Sequence, residues 1–460
     1  MIPISLTQLA TLTQGALKQI DTKKAQSIWC STVTTNSRER SRNNLFIALN
    51  GYQFDGHNFA YEAAAAGANA LLVERLLPIY CPQVIVKDTH LAIGQLAAWI
   101  RKKTKAKVIG LTGSSGKTSV KEMVAAILAP CGATLFTEGN LNNDIGVPLT
   151  LLRLEEEHQY AVIEMGANHI GEIAYTTNIV RPDIVLVNNL FSSHLEGFGS
   201  LSGVAKAKGE IFQGLAEPGI GIINLCSHDW KNWKSYFTQK QSILRFSLTK
   251  HKKADFYAEN IIIQSICSEF DMHTPQGVIS IFLPLPGIHN IANAIAASAL
   301  AISVGATLDQ ISLRLAHIQP ITGRLYPIYL APGKVILDDT YNANIGSMIA
   351  AANVLSKMPG YRILVVSDIG ELGNQTEKCH QAVGVATRTM KLDQVLSVGQ
   401  YSINISQHSS NGEHLSSKEA LIKKLISLIK KHKTVSVLVK GSRNTKMEEV
   451  VNALQEFFLC

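Results

Sequence analysis

The sequence lacks paired cysteines and long apolar runs. Its seven cysteines are scattered singly, and no Cys-x-x-Cys pair occurs among Cys30, Cys81, Cys131, Cys226, Cys267, Cys379 and Cys460. This pattern argues against a disulfide framework or a zinc site and favours reduced thiols. The apolar runs end well short of the ~18 residues that a membrane span needs, and residues 1–5 lack the basic segment of a signal peptide. We therefore expect a cytoplasmic protein without a membrane span.

Charged residues are sparse as well, at 17% against 46% hydrophobic residues, which is typical of a globular protein. The formal net charge of +8 is dispersed along the chain. The densest basic stretch lies on a predicted helix whose other face is apolar, which favours a solvated face. Anionic small substrates explain the charge as well as a nucleic acid does. Because no basic groove with interleaved aromatic residues is evident, we expect no nucleic-acid partner.

One glycine-rich stretch follows a short apolar strand and precedes an amphipathic helix. This order predicts a phosphate-binding loop, in which backbone N–H groups and the helix N-terminus face the phosphates. Lys117 would reach the β- and γ-phosphates, and the Thr118 hydroxyl would bind magnesium. The strict Walker spacing wants glycine at position 111, where Leu111 stands, so the stretch fits a GxxGxxGK[ST] variant. The alternative is a Gly/Ser turn without a ligand. The flanking strand and helix favour an ATP-binding loop. Its residues would be Gly113, Ser114, Ser115, Gly116, Lys117, Thr118 and Ser119.

Strands and helices alternate along most of the chain, which predicts an α/β protein with mostly parallel, doubly wound sheets. At 460 residues it is too long for one core. We predict a small α/β domain over residues 1–88, a central P-loop domain over 89–322 and a Rossmann-like α/β domain over 323–460. Period-two alternation and a turn signal at 274–277 predict an antiparallel hairpin from strands 256–263 and 278–283.

Three polar side chains near predicted strand ends are candidates for chemistry. Glu164 closes an apolar strand, where a P-loop fold places a magnesium-binding carboxylate; the alternative is a helix cap. His194 and Lys208 follow the next strand, and their spacing alone leaves ordinary structural roles open.

Five motifs in fixed order resemble the Mur ligases of peptidoglycan synthesis. They are GSSGKT at 113–118, GNLNNDIGVP at 139–148, EMGANH at 164–169, HLEGF at 194–198 and DDTYNAN at 338–344. The second and fifth motifs are most similar to the family members that add D-alanyl-D-alanine to UDP-N-acetylmuramoyl-tripeptide. The similarity runs from Thr34 to residue 443.

The resemblance implies roles for residues that spacing leaves undecided. It implies a UDP-sugar domain, a central ATPase and a C-terminal acceptor domain in chain order. The UDP-sugar and donor residues would be Thr35, Ser37, Arg38, Asn140, Asn142 and Asn143. Nucleotide contacts beyond the loop would come from Asn290, Asn293, Arg324 and Asp339. Two magnesium ions would be held by Thr118, Glu164, His194 and a carbamylated Lys208. The catalytic residues would be Lys117, Glu164, His194 and Lys208.

We also expect the segment after the last predicted strand to bind the acceptor, because open sheets place ligand groups there. Its residues are Lys440, Ser442 and Arg443.

The implied activity is amide-bond formation by a monomer of peptidoglycan precursor synthesis. ATP would convert the donor carboxylate into an acyl phosphate, and the amine of D-alanyl-D-alanine would displace phosphate. Three alternatives remain open at this point: a ligase that adds a single amino acid or extends folate with glutamate, a mechanical or nucleic-acid ATPase, and a nucleotide-gated binding protein without turnover.

Overall fold

The computed structural model describes residues 1–40, 42–51, 54–227 and 230–459. Cys460 lies outside these residues, and the other six cysteines are free thiols. Over the described ranges the chain forms α/β units with mostly parallel sheets, which confirms the predicted fold class. The exact boundaries after residues 88 and 322 stay predictions.

The N-terminal unit centres on a small sheet with the order β2-β7-β6-β5-β4, parallel except at β2. A short antiparallel pair, β1 with β3, lies outside it. Its elements are β1 (Ile4–Ser5), α1 (Leu6–Thr13), β2 (Ala16–Lys18), α2 (Thr22–Ala25), β3 (Trp29–Cys30), β4 (Thr32–Thr34), β5 (Asn44–Ile47), α3 (Ala60–Ala65), β6 (Ala70–Val73) and β7 (Gln83–Ile85).

The central unit has a large sheet with the order β16-β15-β14-β13-β12-β11-β8-β10-β9. Its elements are α4 (Thr89–Lys103), β8 (Lys107–Thr112), α5 (Lys117–Leu128), β9 (Thr134–Phe136), α6 (Gly146–Leu151), β10 (Tyr160–Glu164), α7 (Glu172–Val180), β11 (Ile184–Val187), α8 (Leu195–Phe198), α9 (Leu201–Gly209), β12 (Ile220–Asn224), α10 (Trp230–Trp233), β13 (Ser242–Thr249), β14 (Phe256–Ile263), β15 (Ser268–Thr274), β16 (Gly277–Leu283), α11 (Ile288–Ile302) and α12 (Leu308–Leu315).

The antiparallel part of this sheet differs from the predicted hairpin. The turn at 274–277 joins β15 to β16, and β14 pairs with β15 on its other side. The sequence prediction omitted β15, in which the buried Phe270 and Met272 alternate with charged residues. Such alternation is typical of a strand with one buried face.

The C-terminal unit contains a sheet with the order β17-β18-β22-β19-β20-β21, parallel except at β17. Its elements are β17 (Tyr326–Ala331), β18 (Lys334–Asp339), α13 (Ile345–Leu355), β19 (Tyr361–Val366), α14 (Thr376–Thr387), β20 (Gln394–Val398), α15 (Ile403–His408), β21 (Gly412–Leu415), α16 (Lys418–Lys431), β22 (Val435–Lys440) and α17 (Glu448–Leu459).

Sheet register brings the polar strand ends together. β8 lies between β10 and β11 and runs parallel to both, with Glu164 opposite Leu111 and Val187 opposite Thr112. The phosphate-loop sequence therefore leaves the sheet beside Glu164. Ligand-binding residues of open α/β sheets gather at this edge, where the strands end. Among the described residues, no helix combines the length and apolar character needed to cross a bilayer.

Candidate active site

The glycine-rich stretch forms a tight turn between β8 and α5. Gly116 has a φ of 75° and directly precedes Lys117, the first residue of the helix. A Cβ at Gly116 would lie 2.5 Å from Asn293 Oδ1 and 2.8 Å from Asn188 Nδ2. Both the backbone conformation and the close approach require glycine. The turn thus presents backbone N–H groups at a helix N-terminus, as a phosphate site needs.

Two asparagines at the end of β11 hold the peptide groups of Ser115. Asn189 Oδ1 accepts from Ser115 N at 2.8 Å, and its Nδ2 donates to Ser115 O at 2.9 Å. Asn188 Nδ2 donates to the same carbonyl at 3.0 Å and to Asn293 Oδ1 at 3.0 Å. Sequence reasoning left Asn188 and Asn189 out of the site. Their place at the end of the strand beside β8 was the available signal.

Glu164 faces the start of α5. Its Oε2 accepts from the Thr118 hydroxyl at 3.0 Å, and its Oε1 accepts from Asn142 Nδ2 at 2.7 Å. The side chain is therefore bound to other side chains rather than to a helix N-terminus. A buried carboxylate beside a hydroxyl offers the oxygen ligands that magnesium prefers.

Lys117 folds back over the loop, where its Nζ donates to Gly113 O at 2.9 Å. Burial lowers the pKa of Lys117; the nearby Glu164 opposes this shift and Arg324 adds to it. If a γ-phosphate bound in the loop, Lys117 Nζ would exchange its hydrogen bond with the Gly113 carbonyl for one with the phosphate anion.

Lys208 and His194 both contact the ring of Phe198. Lys208 Nζ lies 5.4 Å from the ring centroid, and His194 packs against it edge-on at 6.2 Å. Lys208 is 1% exposed, and its Nζ forms no hydrogen bond or ion pair with any described residue. Burial, and then the charge of Lys117, lower the pKa of Lys208 to about 7. No ready-made cluster of three His, Cys, Asp or Glu side chains that could hold a metal occurs in the described ranges.

The C-terminal unit contributes side chains to the phosphate loop itself. Arg324 Nη2 donates to the Thr118 hydroxyl at 2.8 Å, and its guanidinium lies 4.4 Å from the Tyr341 ring centroid. Asn344 Nδ2 donates to Ser115 Oγ at 2.9 Å and to Ser114 O at 3.2 Å. Asn344 was not among the predicted site residues, although it belongs to a motif that carried the resemblance.

The predicted acceptor residues lie at the end of β22 and differ in how their side chains are engaged. Lys440 is buried, and its Nζ binds Asp339 Oδ2 at 2.7 Å and donates to Asn342 O at 2.8 Å. Ser442 Oγ accepts from Gly370 N at 2.8 Å. Arg443 is largely exposed and pairs with Glu448 at 3.2 Å. Lys440 therefore holds the surrounding loops together, whereas Arg443 has a guanidinium face accessible to a ligand.

A cavity of about 1070 Å³ lies between the central and C-terminal units, and we call it the interdomain cavity. The structure brings together on its wall most of the predicted residues, namely Ser114, Ser115, Gly116, Lys117, Thr118, Ser119, Asn140, Asn142, Asn143, Glu164, His194, Asn290, Asn293, Arg324, Asp339, Lys440, Ser442 and Arg443.

A few predicted residues lie away from that wall. Lys208 is buried and does not line the cavity, and neither do Gly113 of the phosphate loop or the N-terminal Thr35, Ser37 and Arg38. Ser37 Oγ donates to Glu62 Oε2 at 2.6 Å, and the Arg38 side chain is exposed. Their predicted contact with a UDP-sugar stays a prediction.

Three segments match known family domains. Residues 30–100 match the Mur ligase family catalytic domain, residues 111–301 the Mur ligase middle domain, and residues 323–443 the Mur ligase glutamate ligase domain. The order of these domains agrees with the three α/β units.

Full-length relatives agree with this match. The chain is 55% identical over 460 residues to the UDP-N-acetylmuramoyl-tripeptide–D-alanyl-D-alanine ligase of Escherichia coli (strain K12), covering all of both chains. A crystal structure of MurF from Acinetobacter baumannii superposes with a TM-score of 0.92 at 38% identity, over 99% of both chains. The crystal structure of MurF ligase from Thermotoga maritima in complex with ADP superposes with a TM-score of 0.82 at 26% identity, over 93% of this chain and 98% of that one. The protein described here belongs to the Mur ligase family.

Proposed function

We propose that this protein joins D-alanyl-D-alanine to UDP-N-acetylmuramoyl-tripeptide at the expense of ATP. The products are UDP-N-acetylmuramoyl-pentapeptide, ADP and phosphate. The observation that carries the proposal is the interdomain cavity, whose wall combines the phosphate loop with the Asn140–Asn143 segment and the C-terminal strand ends. The curated relatives that share the whole length of the chain bear the name of this ligase. Because its substrates are ATP and a UDP-linked precursor, we place the reaction in the cytoplasm.

ATP is needed because a free carboxylate does not react with an amine at neutral pH: oxide is too poor a leaving group. Transfer of the γ-phosphoryl group to the donor carboxylate gives an acyl phosphate. Loop N–H groups and the Lys117 ammonium stabilise the charge that spreads over the transferring group. The amine of the acceptor then attacks the acyl carbon, and phosphate leaves from the tetrahedral intermediate.

The residues present fit magnesium in one place and would fit it in a second only if Lys208 is carbamylated. The Thr118 hydroxyl and the Glu164 carboxylate offer oxygen ligands beside the phosphate loop, 3.0 Å apart. His194 offers a ring nitrogen, and Lys208 would join it only as a carbamate. When bound, magnesium neutralises charge between the donor carboxylate and the phosphates.

Lys208 is suited to carbamylation by its surroundings. A buried ammonium without a hydrogen-bonding partner pays a desolvation cost, which favours the neutral amine. The neutral amine is the form that reacts with carbon dioxide. The product is an anion with two oxygens, which a hard cation binds well, whereas an ammonium has no lone pair to offer.

The C-terminal unit excludes water from the acyl phosphate. Arg324 and Asn344 bind the phosphate loop directly, so their domain covers the site where phosphoryl transfer takes place. Gly346 lies against the ring of Phe191, where an added Cβ would approach to 2.7 Å. This close packing joins the two units at the cavity wall, and closing the cavity further would protect a hydrolysable intermediate.

A phosphate-release assay with a panel of amines tests the function. With ATP and UDP-N-acetylmuramoyl-tripeptide, we expect phosphate release with D-alanyl-D-alanine and none above background with single amino acids or glutamate. Release driven by DNA or RNA would contradict the proposal, as would equal release with every amine. Mass spectrometry of the product identifies the pentapeptide.

Lys117→Ala should lower kcat by roughly 10³-fold, because its ammonium acts on the transferring phosphoryl group. The matched control is Lys107→Ala, which removes an exposed lysine at the start of the strand that leads into the loop. Steady-state kinetics measure kcat for both variants. A kcat of Lys117→Ala within tenfold of the parent value would contradict the phosphate-loop assignment.

Lys208→Ala should be nearly inactive, and acetate or formate should partly restore activity by filling the vacated anion site. Lys208→Arg should be as inactive as alanine, since it keeps the positive charge but cannot form a carbamate. Lys206→Ala, which removes an exposed lysine on the same helix, is the control and should retain activity. An active arginine variant would show that Lys208 acts as a cation. Labelled carbon dioxide followed by ¹³C NMR gives an independent readout.

Arg443→Ala should raise the KM for D-alanyl-D-alanine by about tenfold or more, because a charge-assisted hydrogen bond to its carboxylate is worth roughly 1.5–3 kcal/mol. The KM for ATP should change little. Lys423→Ala, an exposed lysine on α16, controls for loss of surface charge. Equal changes in both KM values would remove the acceptor assignment.

A further inference from the structure

One contact between the central and C-terminal units reaches the predicted metal ligand His194. Glu371, in the loop between β19 and α14, pairs through Oε2 with His194 Nδ1. The backbone carbonyl of Glu371 also accepts from Glu196 N at 3.1 Å. Both the side chain and the main chain of Glu371 therefore bind the segment that carries His194.

The two partners adopt backbone conformations that cost free energy. His194 has a φ of 51° and Glu371 a φ of 61°, in the left-handed region that favours glycine. Non-glycine residues in this region persist where surrounding structure holds them, and they concentrate at functional sites. Here both residues lie at the contact between the two units.

The loop that carries Glu371 is fixed by hydrogen bonds to its own domain. The carboxylate of Asp368 accepts from the backbone N–H groups of residues 400–402, at 2.7 to 2.9 Å. Ile369 N donates to Nε2 of the buried His380 at 2.9 Å. Gly370 N donates to Ser442 Oγ at 2.8 Å. Glu371 is thus presented on a rigid support rather than on a loose loop.

A histidine with one ring nitrogen held by a carboxylate is prepared to bind a metal through the other. The Glu371 carboxylate contacts Nδ1 as an ion pair, without the alignment of a hydrogen bond. Its negative charge favours the proton on Nδ1, and this tautomer leaves the Nε2 lone pair for a metal. No described residue donates to or accepts from Nε2 of His194.

We propose that Glu371 is a positioning residue, which the C-terminal domain supplies to His194 so that Nε2 can bind the second magnesium ion. The inference rests on the proposed function and adds to it, because the acceptor domain then helps to build the metal site. The second magnesium site would therefore be complete only when the C-terminal domain is docked on the central domain. The enzyme would therefore activate the donor carboxylate only when the acceptor domain is in place.

The first measurement reads the tautomer of His194 in the free protein. ¹⁵N-histidine NMR at about pH 8, above the ordinary imidazole pKa, distinguishes a protonated Nδ1 from a protonated Nε2. The resonances of His194 are those lost in His194→Asn. We expect a protonated Nδ1 in the parent protein and a mixture of tautomers in Glu371→Gln and Glu371→Ala. Because this readout needs no turnover, it does not depend on whether the chain performs the proposed ligation.

The second measurement is the magnesium dependence of phosphate release at saturating ATP, donor and acceptor. Loss of a carboxylate behind a metal-binding histidine weakens metal affinity by about 10- to 100-fold. We expect a shift of about that size for Glu371→Ala and for Glu371→Gln, with little change in the KM for ATP. Glu196→Gln is the matched control, because it removes an exposed carboxylate from the same contact segment; it should leave both readouts unchanged.

Both readouts must change together. An unchanged tautomer in Glu371→Ala would overturn the proposal and leave the contact as a structural link between domains. A changed tautomer with unchanged magnesium dependence would overturn it too, since His194 would then be oriented for something other than the metal. If the parent protein releases no phosphate with any amine, the proposed function fails, while the tautomer result still reports on the contact itself.

Discussion

The contact between the C-terminal unit and the phosphate loop is the interaction on which the rest of the site depends. Asn344 binds the loop at Ser115, and Arg324 binds the Thr118 hydroxyl beside Glu164. These hydrogen bonds bring two separate sheet edges together around one cavity. In the function we propose, the phosphate loop without these contacts would lack an acceptor beside it and a cover against water. A ligase that makes a hydrolysable intermediate needs both.

The site is held mainly by neutral amides, with its charges kept for the substrates. Asn188 and Asn189 fix the Ser115 peptide, and Asn142 holds the Glu164 carboxylate. Amide groups satisfy backbone and carboxylate partners without adding charge. Asn189 engages the Ser115 N–H, so we expect Lys117 and the N–H groups at the start of α5 to meet the phosphates. Such preorganised donors cost little reorganisation when the reaction occurs. Lys440 differs, because its charge is used internally in the ion pair with Asp339.

The sequence was sufficient where geometry follows from local order. A strand, a glycine-rich turn and a helix predict the tight turn at Gly116, and parallel strands that end at one edge place Glu164 beside it. It was insufficient where partners lie on distant elements. The pairing of Lys440 with Asp339 requires β18 and β22 to be neighbours, which periodicity does not reveal. The contact of Glu371 with His194 requires two domains to dock. The omission of β15 had a local cause, since its charged residues obscured a half-buried strand.

In the function we propose, the interdomain cavity brings the γ-phosphate of ATP and the donor carboxylate together, so that one oxygen of that carboxylate is phosphorylated. Isotope transfer tests this most directly. The donor is labelled with ¹⁸O in the reacting carboxylate, and the released phosphate is analysed by mass spectrometry after a single turnover with D-alanyl-D-alanine. We expect one ¹⁸O atom per phosphate released. Phosphate without the label would show that ATP is hydrolysed by water apart from ligation, and it would exclude an acyl phosphate.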